Sequence, residues 1–523
     1  MAVYRSRLSK KSHISTTMSL SLSEHEIVRT QKKQELEALG IDPYPSATFF
    51  TNTSAEDILG NYPADPGRYQ QVSLAGRLMS RRIMGSASFV ELQDATGKVQ
   101  LYVHRDTLCP DTDKTFYNTV FKKLLDIGDI VGVQGYVFRT QMGTISVHVR
   151  QLTLLSKALK PLPVVKEVME QGTKKTYDAF TDPEQRYRQR YVDLTVNPHV
   201  RATFVKRAQL IRSIRQYLEA RGSLEVETPI LQPIYGGAAA RPFKTHHNAL
   251  DMPLYLRIAN ELYLKRLVVG GYESVYEFAK DFRNEGMSRF HNPEFTMLEW
   301  YVAYRDYLWM MDRIEELLEK IALDLHGTTE VQVGQHTINF QRPWKRLTMF
   351  EAIHHFTGID VSNMGEAALR DTAHKLDITL AASAGEGKII DEIFGTQCEP
   401  NLIQPTFITD YPISMSPLAK RHRDHPALVE RFEVICNGKE VCNAFSELND
   451  PIDQRQRLEE QLALGTRGDE EAMALDEDFL RALRYGMPPT VGIGIGIDRL
   501  AMIMTDAASI QEVIFFPQMR PEN

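Results

Sequence analysis

The sequence of 523 residues is long enough for more than one domain. Its apolar share of 43% and charged share of 25% are typical of a globular protein, and no apolar run approaches the ~20 residues of a transmembrane helix. The net charge of -7 neither indicates nor excludes nucleic-acid binding, since a local basic surface can bind RNA on an acidic protein.

The four cysteines, Cys109, Cys398, Cys436 and Cys442, form no Cys-x-x-Cys pair and no Cys/His ligand set. Free thiols of this kind are typical of a reducing compartment, where disulfides are rare. We therefore expect a cytoplasmic protein without a disulfide framework and without a zinc site.

Residues 1–23 are predicted to form a basic, disordered N-terminal extension. The first seventeen contain four lysines and arginines and no acid, which loosely resembles a transit peptide. A disordered tail and an upstream start codon ahead of Met18 are the alternatives. Residues 24–64 are predicted as a helix and turn region, because Gly40 ends the apolar pattern of residues 24–39.

Residues 65–160 are predicted as five short strands with one helix after the third. This order is typical of an OB-fold, a small barrel whose face commonly binds single-stranded nucleic acid, although the alternation also suits other small barrels. Arg77, Arg81 and Arg82 are predicted to place positive charge near Phe89. Bases stack on aromatic rings while arginines hold phosphates, so this combination suits RNA. The alternative for Phe89 alone is a core position.

Residues 161–195 are predicted as a linker, because two prolines stiffen the junction and polar residues follow. The second domain, residues 196–523, begins with an amphipathic helix over 200–220 and a strand over 224–231. Gly237 lies in the next loop, and glycine lets a backbone approach a ligand closely. A helix then begins with Asn260 as its predicted N-cap and Glu261 in its first turn, where a carboxylate also complements the helix dipole.

A charged hairpin at residues 275–301 is the most informative stretch of the chain. A strand over 275–282, a loop with two turn signals and a second strand follow one another. Arg283 at the strand end suits a phosphate or carboxylate, Phe295 offers an aromatic face for a base, and Glu285 can accept from an adenine amino group. The chemistry indicates a nucleotide and an amino acid held side by side; a solvated hairpin is the alternative.

Residues 305–400 are predicted as helices and loops, and a second hairpin follows at 431–448 around the Asn437-Gly438 turn. Counting alternate residues places Glu440 and Glu447 on opposite faces of the return strand unless a bulge intervenes. Carboxylates beside a triphosphate suggest Mg²⁺, which takes one or two carboxylates together with phosphate oxygens.

Residues 492–500 alternate glycine and isoleucine ahead of Asp498 and Arg499. Such a strand packs closely on one side, and Asp498-Arg499 is predicted to open a helix. The glycines do not form a phosphate loop, because neither GxxxxGK[ST] nor a strand–GxGxxG–helix unit is present.

Together these stretches resemble the class II aminoacyl-tRNA synthetases. Phe-Arg-Asn-Glu-Gly at 282–286 and His-Asn-Pro-Glu-Phe-Thr at 291–296 resemble motif 2, in the form typical of the lysyl branch of subclass IIb. The helix and strand over 200–231 resemble motif 1, and Gly-Ile-Gly-Ile-Asp-Arg-Leu at 494–500 resembles motif 3. The resemblance implies an α+β fold, with an N-terminal OB-fold β-barrel that binds the anticodon and a class II catalytic domain, an antiparallel sheet flanked by helices, over 196–523.

The resemblance also implies a role for each site residue. Arg283 and Arg499 are the catalytic residues, and Glu433 and Glu440 are ligands for up to three Mg²⁺ ions. The anticodon contacts that it implies are Arg82, Phe89 and Gln100. The ATP-binding residues that it implies are Arg283, Glu285, His291, Asn292, Phe295 and Arg499. The lysine-binding residues that it implies are Gly237, Glu261, Arg283, Glu299, Tyr301, Asn443, Phe445 and Glu447.

The sequence departs from the family pattern at several positions. Thr144 stands where an acidic anticodon contact is expected, and Asn260 replaces a proline. Cys442 and Ala444 stand where the family often has glycine, so the floor of the amino-acid pocket is expected to be slightly narrower.

The implied activity is the ATP-dependent ligation of L-lysine to tRNA(Lys) through a lysyl-adenylate. A homodimer through the motif 1 helix and strand, and no membrane association, are implied as well. One alternative is an aspartyl- or asparaginyl-type synthetase of subclass IIb, but Glu299, Tyr301 and Glu447 form an acidic pocket that disfavours an acidic substrate. Another is a non-catalytic RNA-binding relative, which the intact Arg283, Glu433, Glu440 and Arg499 disfavour.

Overall fold

The computed structural model describes residues 22–163, 166–170, 173–177, 180–238, 240–381, 384–466 and 473–522. The predicted extension over residues 1–23 lies outside the described residues apart from its last two. The chain divides into two units, Met1–Phe180 and Thr181–Asn523, and the division falls within the predicted linker 161–195. Among the helices of the described residues, none combines the length and apolar character needed to cross a membrane.

The first unit contains a closed β-barrel. Within the described part of the unit its strands are β1 (Val72–Met84), β2 (Ala87–Gln93), β3 (Lys98–His104), β4 (Ile130–Arg139) and β5 (Ile145–Ser156). Their order is β1-β2-β3-β5-β4, and β4 pairs with β1 to close the barrel. The helices are α1 (Glu24–Ala38), α2 (Ala55–Asn61), α3 (Arg105–Leu108) and a π-helix over Phe116–Leu124 between β3 and β4. The predicted OB-fold is confirmed.

Alternation along β2 shows why these residues form a barrel wall. Ser88, Val90 and Leu92 are buried among the apolar side chains of the barrel interior, whereas Phe89 lies on the outer face and is partly exposed. Successive side chains of a strand point to opposite faces, so one face fills the core and the other remains available for a ligand. Phe89 therefore does not lie in the core, which was the alternative position considered for it.

The second unit is a sheet flanked by helices. The strands of its described part, together with a hairpin that precedes it, are β6 (Lys166–Glu170), β7 (Thr173–Tyr177), β8 (Leu224–Glu225), β9 (Leu231–Gln232), β10 (Lys244–His247), β11 (Met252–Leu256), β12 (Ser274–Phe282), β13 (Glu294–Ala303), β14 (Glu330–Val333), β15 (His336–Asn339), β16 (Lys345–Thr348), β17 (Thr406–Thr409), β18 (Arg431–Cys436), β19 (Lys439–Ser446) and β20 (Thr490–Gly496). The helices are α4 (Pro183–Arg188), α5 (Arg190–Val196), α6 (Pro198–Glu219), α7 (Glu261–Val269), α8 (Tyr307–His326), α9 (Met349–Thr357), α10 (Glu366–Lys375), α11 (Glu386–Gln397), α12 (Pro451–Thr466), α13 (Glu477–Leu483), α14 (Ile497–Thr505) and α15 (Ile510–Val513).

The main sheet of this unit runs β16-β17-β18-β19-β20-β13-β12-β8. All pairs from β17 to β12 are antiparallel, and a parallel strand is added at each edge, by β16 and by β8. The predicted antiparallel sheet is therefore confirmed for its centre. Helices α6 and α8 pack on one face, where Leu210, Ile314, Trp300 and Ile493 share a hydrophobic core. The other face is left for the site.

Three predicted elements differ from the structure. The strand predicted over 224–231 is reduced to β8 and β9, because Pro229 has no N–H to donate to a ladder. The region 305–400, predicted as helices and loops, also contains β14, β15 and β16, the last of which joins the main sheet. The predicted linker contains the β6–β7 hairpin and the short helices α4 and α5.

Candidate active site and nucleic-acid interface

The β12–β13 hairpin places Arg283 beside Phe295. Phe282 pairs with Glu294 at the last rung of the ladder, and the N–H of Arg283 donates to the carbonyl of Pro293 at 2.9 Å. The guanidinium carbon of Arg283 lies 5.1 Å from the centre of the Phe295 ring. The buried Nε of Arg283 has no hydrogen-bond partner among the described residues, so this donor is open to a ligand.

A cavity of about 110 Å³ lies next to this pair. The predicted ATP-binding residues all line it: Arg283, Glu285, His291, Asn292, Phe295 and Arg499. The side chain of Asn292 donates to the carbonyl of Glu294 at 2.5 Å and accepts from the N–H of Gln518 at 3.2 Å. Its amide thus holds the loop in shape.

Arg499 reaches the same cavity from the opposite side, from the first turn of α14. Its guanidinium donates to the carbonyl and to the carboxylate of Glu440, at 2.9 and 3.0 Å, and to Nε2 of His291 at 3.3 Å. The preceding Asp498 is buried, accepts from the N–H of Thr296 at 2.7 Å and pairs with Arg207 of α6 at 2.6 Å. Asp498 therefore fixes the start of the helix that carries Arg499.

A β-bulge decides which side chains of the second hairpin share a face. Asn437 and Gly438 both have positive φ, as the predicted tight turn requires. Val434 pairs with Cys442 but Ile435 pairs with Glu440, so Val441 is the extra residue of the bulge. Glu440 consequently lies on the same face as the Glu433–Asn443 pair, and the predicted conflict between Glu440 and Glu447 is removed.

Arg431, which the sequence analysis did not single out, organises this face. Its guanidinium donates to Glu433 at 2.6 Å and to Oδ1 of Asn443 at 3.0 Å. Burial raises the pKa of Glu433 to about 7, against the lowering effect of Arg431 and with a further increase from Glu440. The spacing of two residues between Arg431 and Glu433 on β18 was the available signal, whereas the contact with Asn443 depends on the pairing between β18 and β19.

The predicted lysine-binding residues converge in a buried acidic pocket. Glu261, Glu299 and Glu447 are each less than 9% exposed, and the hydroxyl of Tyr301 donates to Glu299 at 3.1 Å. Burial raises the pKa of Glu299 well above its ordinary value, and Glu261 raises it further. Burial also raises the pKa of Glu447 to about 8, although Lys265 acts in the opposite direction.

Two glycines of β20 form the floor of this pocket. Tyr301 and Phe445 flank Gly492 on the neighbouring strands, while Glu299 and Asn443 flank Gly494. A Cβ atom at Gly492 would overlap Oε1 of Glu447 and the Tyr301 ring, and one at Gly494 would lie 2.7 Å from Oε1 of Glu299. Glycine is therefore required for the acidic side chains to close over the strand.

Gly237 lies at the edge of the same pocket. Its φ of +87° is one that L side chains rarely adopt, and a Cβ there would lie 3.4 Å from the Cβ of Glu261. The loop predicted from its small residues thus reaches the start of α7.

Lys265 is the most important pocket residue that the sequence analysis missed. Its Nζ donates to Oε1 of Glu261 at 2.5 Å and forms an ion pair with Glu447. The spacing of four residues from Glu261 on a helix was the available signal, since such pairs lie on one face. Burial lowers the pKa of Lys265, but the two carboxylates outweigh this effect and the pKa is raised.

Of the departures from the family pattern, the predicted N-cap position of Asn260 is confirmed, whereas the interpretation of Cys442 and Ala444 was wrong. Asn260 stands at the N-cap position of α7, but its side chain makes no capping bond and donates to Glu277 at 2.8 Å. Cys442 and Ala444 lie in the hydrophobic core with Ile493, on the face of β19 opposite to Asn443. They therefore do not narrow the pocket floor, which Gly492 and Gly494 form instead.

The predicted anticodon residues share the outer face of the barrel. Arg82 pairs with Phe89, which pairs with Tyr102 on β3, and Gln100 precedes Tyr102 by two residues on the same face of that strand. The rings of Phe89 and Tyr102 are 5.3 Å apart, and Tyr102 lies 5.0 Å from His148 and 5.6 Å from Phe138. An aromatic surface therefore extends over four strands, beyond the single ring that the sequence indicated.

The other two arginines predicted near Phe89 do not face outward. Arg77 donates to the carbonyl of Gly128 at 2.7 Å. Arg81 donates to the carbonyls of Phe121 and Leu125 at 3.0 and 2.6 Å. Both therefore hold the barrel together, and of the three predicted arginines Arg82 alone remains exposed.

Comparisons with known proteins identify the families of the two domains. A family model described as tRNA synthetases class II (D, K and N) matches residues 182–520, and one described as OB-fold nucleic acid binding domain matches residues 72–155. The lysine--tRNA ligase of Porphyromonas gingivalis is 61% identical over 504 residues, which cover 96% of this chain and 86% of that protein. Those of Christiangramia forsetii and Azobacteroides pseudotrichonymphae are 57% and 56% identical over 501 residues, covering 96% of this chain and 87% and 99% of theirs. The chain belongs to the class II tRNA synthetases, in the lysine--tRNA ligase family.

Proposed function

We propose that the protein ligates L-lysine to tRNA(Lys) at the expense of ATP, through a lysyl-adenylate. The observation that carries this proposal is the buried pocket of Glu261, Glu299 and Glu447 beside the cavity that contains Arg283. Buried carboxylates are costly unless a cation pairs with them, so a pocket of this kind selects a cationic substrate. The names of the relatives, at 56–61% identity, support lysine as that substrate.

The nucleotide is assigned to the cavity. Phe295 stacks on the adenine, and the exposed carboxylate of Glu285 accepts from its amino group. The open donor of Arg283 supports its assignment to the α-phosphate, and Arg499 on the far side of the cavity is assigned to the γ-phosphate. His291 and Asn292 shape the loop between them.

The amino acid is assigned to the acidic pocket. Glu261, with the backbone at Gly237, receives the α-ammonium group, and Glu447, with Tyr301, receives the ε-ammonium group. Glu299 adds negative charge from the next strand. The side chains of Asn443 and Phe445 enclose the aliphatic part of the lysine side chain. Arg283 pairs with the carboxylate of lysine. These assignments are supported by burial and by the shared face of β13, β20 and β19.

Glu433 and Glu440 fit a magnesium ion. The bulge brings both carboxylates to one face of the sheet, and among the described residues no third acidic, His or Cys side chain joins them in a metal-binding group. Two carboxylates completed by phosphate oxygens and waters suit Mg²⁺. When bound, Mg²⁺ neutralises charge on the triphosphate.

The reaction needs no protein nucleophile. The lysine carboxylate attacks the α-phosphorus of ATP, and the bond to the β-phosphate oxygen breaks with release of pyrophosphate. A ribose hydroxyl of the terminal adenosine of the tRNA then attacks the lysyl carbonyl and releases AMP. Arg283 lies where both reactants meet and neutralises the developing charge, so positioning and electrostatics supply the catalysis.

The barrel face around Phe89 is assigned to the anticodon. Arg82 and Gln100 lie beside the ring, and bases stack on aromatic rings of this kind. Within this proposal residues 65–160 form the anticodon-binding domain and residues 196–523 the catalytic domain.

A homodimer through α6 and the following strands is also part of the proposal. Leu224 and Leu231, large apolar side chains of these strands, are 47% and 50% exposed, and Val205 on α6 is exposed as well. An apolar surface of several such residues is typical of an interaction site. Sedimentation of the protein and of a Leu231→Glu variant tests it, with a shift towards the monomer expected for the variant.

ATP–pyrophosphate exchange with a panel of amino acids tests the proposed function. We expect exchange with lysine and little with aspartate or asparagine. Exchange with one of those two would identify the sister activity of the same class. Absence of exchange with every amino acid, for a protein that still binds tRNA, would identify a non-catalytic RNA-binding protein.

A further inference from the structure

The buried acidic pocket contains a cation of its own. Lys265 lies one helical turn after Glu261 on α7 and its side chain is 0% exposed. Its Nζ donates to Oε1 of Glu261 at 2.5 Å, contacts Oε2 of Glu447, and lies 5.5 and 5.9 Å from the rings of Phe445 and Phe479. One ammonium group thus joins the two carboxylates that are assigned to the two ammonium groups of the substrate.

The formal charge of the pocket indicates what the contacts of Lys265 with Glu261 and Glu447 achieve. The carboxylates of Glu261, Glu299 and Glu447 together with the ammonium of Lys265 leave a formal charge of -2 when all are ionised. Free lysine carries two ammonium groups, and its carboxylate is assigned to Arg283. The pocket therefore balances the two cations of lysine when Lys265 is present, and would contain one uncompensated buried charge without it.

The charged groups packed around the pocket supply no unpaired cation that could replace Lys265. On β12, Arg257 is shared by two buried carboxylates, Glu277 at 2.8 Å and Asp281 at 3.3 Å, and Asp281 adds to the rise in the pKa of Glu299. On β18, Arg431 acts on Glu261 but is itself paired with Glu433 at 2.6 Å.

Tyr301 of β13 also borders the pocket, and it keeps its proton, because burial and then Glu261 raise its pKa well above the ordinary value. Lys265 is thus the cation that pairs directly with Glu261 and Glu447, the carboxylates assigned to the ammonium groups of the substrate.

The geometry leaves one oxygen of Glu447 for the substrate. Oε2 contacts Lys265, whereas Oε1 accepts no hydrogen bond from the described residues and lies above Gly492 at the pocket floor. Lys265 therefore binds one oxygen of the Glu447 carboxylate and leaves the other oxygen, above Gly492, for the substrate.

We propose that Lys265 is a specificity-determining positioning residue, which holds Glu261 and Glu447 as an oriented, ionised pair for the two ammonium groups of lysine. This inference rests on the proposed function. Lys265 acts through the two carboxylates and does not itself touch the reacting atoms.

The test uses Lys265→Met, which keeps the length of the side chain and removes its charge. We expect the lysine KM to rise by roughly 100-fold or more at neutral pH, the size of effect produced when one member of a buried ion pair is removed. The ATP KM is expected to stay within about twofold, because Lys265 does not line the nucleotide cavity.

The pH profile separates this role from a merely structural one. Lys265 lowers the pKa of Glu447, which burial raises to about 8, so loss of Lys265 raises that pKa further. A smaller fraction of Glu447 is then ionised at neutral pH. The profile of kcat/KM for lysine, measured between about pH 6.5 and 9.5, is expected to move to alkaline pH by about one unit or more.

Two further variants complete the experiment. Arg266→Met removes the neighbouring cation of α7, which pairs with Asp476 outside the pocket, and is expected to keep the wild-type profile. Lys265→Met combined with Glu299→Gln restores a formal charge of -2, and is expected to fold even if the single variant does not and to recover part of the lysine affinity.

The outcomes are distinguishable. Failure of the wild-type protein to catalyse exchange with lysine would overturn the proposed function itself. If the wild type activates lysine, an unshifted profile for Lys265→Met, an equal shift for Arg266→Met, or no recovery in the double variant would each overturn the role of Lys265 alone.

Discussion

The floor of the acidic pocket gives the sharpest test of its geometry. Gly492 lies between Tyr301 and Phe445, and its backbone conformation is one that any residue can adopt. Gly492→Ala therefore introduces no backbone strain, and its effect comes from the new methyl group alone. That methyl group would overlap Oε1 of Glu447 and the edge of the Tyr301 ring.

The size of the effect follows from overpacking. Inserting a methyl group into a closely packed site costs ~1–3 kcal/mol, which is roughly 5- to 100-fold in an equilibrium constant. Because Glu447 and Tyr301 are assigned to the ε-ammonium group, we expect the lysine KM to rise by that factor. The ATP KM should change little, since Gly492 does not line the nucleotide cavity.

Exchange kinetics with lysine and ATP varied in turn measure both constants. Gly496→Ala is the matched control for the lysine KM alone, because a Cβ there meets its nearest neighbours only at 3.7 Å, an ordinary contact, whereas Gly496 lines the nucleotide cavity and its ATP KM serves no such comparison. The reasoning would be refuted by an unchanged lysine KM in Gly492→Ala, or by an equal increase in Gly496→Ala. Thermal unfolding of both variants shows whether the effect is confined to the site.

Three other predictions concern the remaining assignments. Glu447→Gln is expected to raise the lysine KM by the equivalent of ~3–5 kcal/mol, the cost of a broken buried pair. ATP binding measured by calorimetry is expected to be unchanged, and an unaltered lysine KM would remove Glu447 from the pocket. Phe89→Ala is expected to weaken aminoacylation by ~1–3 kcal/mol for one lost stack and to leave exchange intact, whereas equal losses would contradict an RNA contact. Glu433→Ala is expected to abolish adenylate formation, and near-normal exchange at low Mg²⁺ would exclude it as a metal ligand.

The order of elements could be predicted from the sequence, because each depends on local pattern and turn chemistry. Apolar alternation and turn residues predict the five strands and the helix of the barrel, the hairpin around Arg283 and the turn at Asn437 and Gly438. The strand predicted over 224–231 forms only at its two ends, where Leu224 pairs with Val275 and Leu231 pairs with Leu256, because Pro229 between them has no N–H to donate to a ladder.

Side-chain partners could not be predicted, because they depend on register between strands that are distant in sequence. The bulge at Val441 is one case, since a strand pattern read alone cannot locate an extra residue. Arg77 and Arg81 are another: their positive charge suggested RNA, but both bind carbonyl groups of the barrel. Lys265 had a signal in its spacing of four residues from Glu261, but its second contact, with Glu447, depends on elements that are distant in sequence.

One strand serves the pocket and the core at once. Ile493 is buried among apolar side chains on one face of β20, while Gly492 floors the pocket on the other. The register that sets Tyr301 and Phe445 on either side of Gly492 is thus held by packing on the far side of the sheet, because a slip of one residue would exchange the faces. Without a bulge, strict alternation along β19 would place Glu440 on the core face of the sheet, away from the site. The bulge at Val441 lets β19 keep its register in the core and still present carboxylates from both ends of its length.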